Sequence, residues 1–92
     1  MNTFSGNTSS SALSTAYDLP YTITSWSIVN KSGGSLAYSV SIIYGSTNIY
    51  IANGTLSSGG EFRVALTEEI LLAGRQIYVL VNGSSDYYFS IK

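Results

Sequence analysis

The chain is predicted to be all-β: a small antiparallel β-sandwich, Ig-like or jelly-roll-like, with an extended N-terminal arm. Three observations carry this. From Leu36 to Ile91, apolar and polar residues alternate with period two in short runs. Turn clusters rich in Gly, Asn and Ser separate the runs at intervals of about 8–12 residues. No stretch has the periodicity of a long helix, so a βαβ arrangement is excluded. The 92 residues make one domain, read as an arm over residues 1–19 and a sandwich over residues 20–92.

Met1 to Ser14 is rich in Ser, Thr, Asn and Gly, with Phe4 and Leu13 as isolated apolar residues. A segment of this composition cannot order itself. The expectation is an arm held against another subunit, with Phe4 and Leu13 as anchors. The alternative is an extra edge strand on its own domain. Asp18-Leu19-Pro20 ends the arm, and Pro20 suits the start of a strand because it has no N–H to offer a ladder.

Tyr21 to Val29 is the first strand of the sandwich. Ile23 is out of phase with Trp26 and Ile28, and a bulge near Thr24–Ser25 would return it to their face. Asn30 to Ser35 is a turn cluster. Leu36 to Tyr44 alternates most cleanly: Leu36, Tyr38, Val40, Ile42 and Tyr44 share one face, and Ala37, Ser39, Ser41 and Ile43 the other. Gly45-Ser46 predicts a hairpin into Asn48–Ala52, with Ile49 and Ile51 inward and Tyr50 outward. Asn53-Gly54 predicts a type I′ turn, Thr55-Leu56 a short return, and Ser57 to Gly60 a loop. Glu61 to Leu66 is a strand with Phe62, Val64 and Leu66 inward. Thr67 to Gly74 is expected as an irregular corner that dips Ile70 and Leu72 into the core; one helical turn capped by Thr67 is the other reading. Arg75 to Val81 and Tyr87 to Ile91 are strands joined by a hairpin loop over Asn82 to Asp86, with Tyr78, Leu80 and Tyr88 outward. The phases give a core of Trp26, Ile28, Tyr38, Val40, Ile42, Ile49, Ile51, Phe62, Val64, Leu66, Leu72, Ile77, Val79, Phe89 and Ile91.

Composition narrows the function. The chain has no Cys and no His, which leaves no disulfide, no thiolate or imidazole metal site, and not the commonest general base. Glu68-Glu69 is an adjacent acidic pair whose side chains diverge in an extended segment, unlike paired glycosidase carboxylates. The abundant Ser and Thr have no base beside them to make a nucleophile. Gly33-Gly34 and Gly59-Gly60 lack the Lys-Ser/Thr and helix of a phosphate loop. Three Asn-x-Ser/Thr sequons, at Asn7, Asn53 and Asn82, have no secretory signal to make them glycosylation sites. The chain therefore reads as a non-enzyme with no cofactor and no metal.

Charge argues in the same direction. Only 10% of residues are charged and the net charge is −1. Lys31, Arg63, Arg75 and Lys92 are spread along the chain and make no basic stripe, so nucleic acid is not the expected partner. No apolar run approaches the ~20 residues of a membrane span. Met1 to Ala16 lacks the basic and apolar regions of a signal peptide, and the chain reads as an intact product of cytoplasmic translation. A domain this small and this poorly charged is expected to gain stability from partner subunits.

The outward residues supply a candidate surface. Tyr50, Tyr78 and Tyr88, with Leu80 and Ile43, lie on the phase opposite the core. On neighbouring strands they would form one apolar, hydroxyl-fringed patch, a feature that marks interaction sites. Three readings compete: a subunit interface first, then single exposed tyrosines with no partner, then stacking against a glycan.

The order of parts also resembles a known family. Ile28-Val29-Asn30, the turn Ser32-Gly33-Gly34-Ser35, the alternating Leu36 to Ile43, the turn over Leu56 to Gly60, Leu71-Leu72-Ala73-Gly74-Arg75-Gln76-Ile77 and the hairpin Tyr78 to Ile91 are similar to small β-sandwich virion structural proteins of tailed bacteriophages. The likeness covers about three quarters of the chain and leaves the arm outside. It implies a head decoration (capsid cement), neck or tail component, made in the host cytoplasm and assembled into the virion. The implied partners are further copies of itself, a homo-oligomer, and the major capsid or tail protein. The second implied role is a phage adhesin or carbohydrate-binding module that contacts a host-surface glycan through its tyrosines. The resemblance brings no catalytic residues with it.

Overall fold

The computed structural model describes residues 2–17 and 20–92, with side chains except at residues 2 and 65–69. Eight strands follow one another: β1 (Asn2–Thr8), β2 (Ser11–Leu13), β3 (Thr22–Asn30), β4 (Leu36–Tyr44), β5 (Thr47–Leu56), β6 (Glu61–Leu71), β7 (Gln76–Val81) and β8 (Ser85–Ile91). They form sheet I, in the order β1-β8-β3-β6, and sheet II, in the order β2-β7-β4-β5.

The order has a simple origin. β4 pairs with β5, β3 with β6, β2 with β7 and β1 with β8, all antiparallel. The chain is one long hairpin, centred on the Gly45-Ser46 turn and folded over so that successive pairs fall in alternate sheets. Lateral pairing of β8 with β3 and of β7 with β4 then completes each sheet. This is the jelly-roll arrangement of the sandwich. Gly45, at φ 62°, takes the positive-φ position of the two-residue hairpin turn, where a side chain would be strained.

The core lies between the sheets. Ile23, Trp26, Ile28, Leu36, Tyr38, Val40, Ile42, Leu72, Ile77, Val79, Val81, Phe89 and Ile91 are buried. Ten of these belong to the set read from alternation. Each fully buried side chain of this kind is worth about 1.5–3 kcal/mol. Aromatic rings are joined in a chain through this layer. Tyr87 meets Phe4 at 4.9 Å, Phe4 meets Phe89 at 5.9 Å, and Phe89 stacks on Trp26 at 5.7 Å. Trp26 meets Phe62 at 5.3 Å, and Phe62 meets Tyr38 at 5.7 Å across to sheet II.

The irregularity expected near Thr24–Ser25 is present. The register of β3 shifts between Ile23 and Ser25 against both neighbours, and Ile23 is fully buried. Against β6 this step is large: Ser25 faces Ala65 but Ile23 faces Ile70. β6 therefore continues through 67–71 as strand, where a corner was expected. The extra residues are accommodated as an irregularity within the ladder, which keeps the backbone paired on either side of it. Leu72 is buried as expected, while Ile70 is half-buried. The expected end of the arm at Asp18-Leu19 and the side chains of Leu66, Thr67, Glu68 and Glu69 lie outside the described residues and side chains.

Three further expectations are revised. The first concerns the arm: its segments become edge strands of their own domain. Residues 2–8 add β1 to β8, and residues 11–13 add β2 to β7, with Val81 N–H donating to Ser10 O at 2.8 Å and Ser14 N–H to Ile77 O at 2.9 Å. Polar composition does not prevent this, because β8 and β7 supply the ladder partners that the segment lacks alone.

The second revision concerns Asn53-Gly54, which continue β5 and do not turn. Gly54 pairs with Tyr38, and a Cβ at Gly54 would lie 3.1 Å from the Tyr38 hydroxyl. The tyrosine ring thus covers the backbone of a strand glycine. The same device occurs on the edge of sheet I, where Tyr87 lies over its partner Gly6.

The third revision concerns Tyr44 and Ile49. Both keep the inner-face phase, opposite Thr47 and Ile42, yet they are 59% and 49% exposed. The inner face at the tip of the β4–β5 hairpin is thus exposed, unlike the inner face at Val40 and Ile42. Ile51, expected inward, is the bulged residue between Tyr50 and Ala52 and is half-buried; Phe62 and Val64 are half-buried as well.

Buried Asn30 ties two turns together at the other end of the sandwich, the one after β3 and the one after β5. Its Nδ2 reaches the carbonyls of Gly34 (2.6 Å), Ser57 (2.9 Å) and Leu56 (3.2 Å). Its Oδ1 accepts from the Ser32 N–H at 2.8 Å and the Ser32 hydroxyl at 2.7 Å. These contacts explain why Asn ends the β3 run: its amide supplies donors and acceptors together to loops that cannot pair with one another.

Candidate interaction surface

The outer face of sheet II is assembled by register. Leu13 of β2 lies opposite Tyr78 of β7, Tyr78 opposite Ser41 of β4, and Ser41 opposite Tyr50 of β5. The row Leu13-Tyr78-Ser41-Tyr50 therefore crosses all four strands. A second row places Ser11, Leu80, Ser39 and Asn53 side by side, and a third places Gln76, Ile43 and Asn48. Directly opposed side chains on one face are close enough to touch.

Exposure follows from position in these rows. Tyr50 at the edge is 64% exposed, Leu13 52% and Leu80 46%, while Tyr78 and Ile43 in the middle strands are half-buried. Ser41 points outward yet is only 1% exposed. Its lateral neighbours are Tyr78 and Tyr50, and side chains of that size on both sides cover it. The row is a continuous aromatic surface with a serine floor.

Beside Leu80 the face opens into a shallow groove of about 400 Å³, lined by Ala37, Tyr38, Ser39, Leu80, Val81 and Asn82. The Asn82 Oδ1 accepts the Ala37 N–H at 2.9 Å and fixes that end of the groove. The strands of sheet II contain no Asp, Glu, Lys or Arg.

Five of the seven residues singled out from the sequence thus share one surface: Leu13, Ile43, Tyr50, Tyr78 and Leu80. The other two do not join it. Tyr88 faces outward from sheet I, opposite Ser5 and Ser27, and lines a separate groove of about 280 Å³ with Ser25, Ser27 and Arg63. Arg63 there pairs with Glu61 at 3.1 Å, an exposed ion pair. Phe4 is half-buried and turned inward against Tyr87 and Phe89, so it anchors β1 to its own core.

Three large exposed residues were absent from the sequence-derived set: Tyr44 and Ile49 at the tip of the β4–β5 hairpin, and Leu71 at the end of β6. Tyr44 and Ile49 share the phase of core residues, and phase does not reveal that the hairpin tip is exposed on that face. Tyr44 also receives the Arg75 guanidinium over its ring, 5.8 Å from the centroid.

Comparison with known proteins adds the fold and no more. No family model matches the chain, and no curated protein matches it. Among solved structures, the crystal structure of PirA superposes with a TM-score of 0.59 over 96% of this chain and 93% of that one, at 12% identity. At that identity the likeness is one of β-sandwich architecture.

Proposed function

We propose that this chain is a non-enzymatic structural component of a virion, which docks onto a neighbouring virion subunit through the outer face of sheet II. The observation that carries the reading is the charge-free aromatic face itself, five large apolar residues aligned across all four strands. Tyrosine and leucine rows of this kind suit protein contact, since the rings offer large, rigid area and the hydroxyls tolerate a wet rim. The serine floor adds hydrogen-bonding groups without charge. The virion setting rests on the family resemblance in the order of strands and turns. Many copies placed by symmetry would add the avidity that one face of this size lacks.

Incorporation into particles tests this. Tyr78→Ala combined with Leu80→Ala should deplete the chain from purified particles while its far-ultraviolet circular dichroism stays unchanged, and Tyr88→Ala should be incorporated normally. Full incorporation of the double variant would refute the docking face. A second reading, a glycan-binding adhesin, is favoured by the groove beside Leu80 with its Ser39 and Asn82 side chains; aromatic rings flanked by hydroxyls and amides also stack sugars. It requires the same double variant to lose binding to host cells or to a glycan array.

A further inference from the structure

We infer that a second copy of the chain pairs with β5, antiparallel and about a twofold axis, so that sheet II runs on from one copy into the other. This inference goes beyond the docking face, and the two fail separately. It begins with the four sheet edges. β6 carries Glu61, Arg63, Glu68 and Glu69, and charge on an edge strand discourages pairing. β2 is three residues long. β1 is uncharged, but its large side chain, Phe4, is turned inward. β5 differs from all three. It is ten residues long, contains neither charge nor proline, and exposes Ile49 on one face and Tyr50 on the other. An uncharged edge of that length is a template for another strand.

The bulge identifies the partner strand as β5 itself. Full-length antiparallel self-pairing sets Thr47 opposite Leu56, Asn48 opposite Thr55, Ile49 opposite Gly54 and Tyr50 opposite Asn53. In an unbroken ten-residue strand, each such pair would match an inner-face residue with an outer-face one, which a pleated sheet does not allow. The extra residue at Ile51 removes the conflict. Thr47 and Ile49 share the inner face with Gly54 and Leu56, because their β4 partners are Tyr44, Ile42, Tyr38 and Leu36; Asn48, Tyr50, Asn53 and Thr55 share the outer face. Every pair then matches in phase. Ile49 falls opposite a residue without a side chain, and the exposed hairpin tip comes to lie beside the second copy. A twofold contact of this kind closes on itself and does not propagate.

Sedimentation of the purified chain tests the inference. The wild type should sediment as a dimer. Asn48→Lys with Thr55→Lys sets lysine against lysine at both ends of the contact and should weaken the dimer at least tenfold. Asn48→Lys with Thr55→Glu sets lysine against glutamate and should keep it. Both positions, Asn48 and Thr55, are exposed and polar, and circular dichroism checks that each variant folds. The chain has no cysteine, so a mixture of Asn48→Cys and Thr55→Cys chains should form a disulfide-linked dimer that neither forms alone. A monomeric wild type, open-ended polymers, equal dimerisation of the two charge variants, or cross-linking by either cysteine variant alone would each overturn the proposal.

Discussion

The two sheets use their aromatic residues in opposite directions. Sheet I turns Phe4, Tyr87, Phe89, Trp26 and Phe62 inward as a connected series of rings, and its outer face carries Glu61, Arg63 and Asp86 beside Tyr88. Sheet II sends only Tyr38 into that series and turns Tyr78 and Tyr50 outward, on strands without a charge. One sheet supplies cohesion and the other supplies contact surface. The difference teaches that aromatic content by itself does not locate a site in a small sandwich. The phase of each ring and the charge around it do.

Substitutions can break this division, beginning with the largest effect. Trp26→Ala removes the ring between Phe89 and Phe62 and should cost about 3–5 kcal/mol in denaturant unfolding. A similar truncation outside the core, Tyr50→Ala, should stay within about 0.5 kcal/mol. Equal losses would dissolve the distinction between the sheets. Asn30→Ala should cost about 2–3 kcal/mol, because it strips partners from the carbonyls of Gly34, Leu56 and Ser57 in a buried position. Urea titration of that variant against Ser84→Ala, at a half-buried turn position, provides the measure.

A smaller effect sharpens the comparison at the edges. Both sheets lay a tyrosine over an edge-strand glycine. Gly54→Ala presses on Tyr38, a buried member of the ring series, and should cost about 1–2 kcal/mol. Gly6→Ala meets the hydroxyl end of Tyr87, which is half-buried and can swing aside, so its cost should be below about 1 kcal/mol. Thermal melts of the two variants, compared with wild type, check the order.

Much of this was legible in the residues. Alternation placed the inner faces of β4, β7 and β8, and the out-of-phase Ile23 announced the irregularity in β3. The outward tyrosines and leucines were identifiable for the same reason. What alternation cannot show is which strands are neighbours, so Tyr88 was grouped with Tyr78 although the two point to opposite sides of the molecule. Asn53-Gly54 read as a turn because local propensity favours one; the Tyr38 ring over Gly54 is a tertiary contact that overrides it. Residues 2–13 gave no apolar pattern because the pairing of β1 and β2 is dictated by β8 and β7, far away in sequence. Tyr44 and Ile49 have a core-like phase and lie past the end of the core.

The nested pairing of the chain also governs when the domain can form. Only β4 and β5 are close in sequence; β1 waits for β8, and β8 lies between β1 and β3 in the interior of sheet I. During synthesis β4 can pair with β5 and β3 with β6 early, but β1 must remain unpaired until β8 has been made, and closing so long a loop makes folding slow. Phe4, whose ring packs on Tyr87 and Phe89 of β8, is then uncovered for the whole interval. Deleting β8, an interior strand of sheet I, should therefore leave no soluble fold at all, whereas deleting the edge strand β1 should leave one.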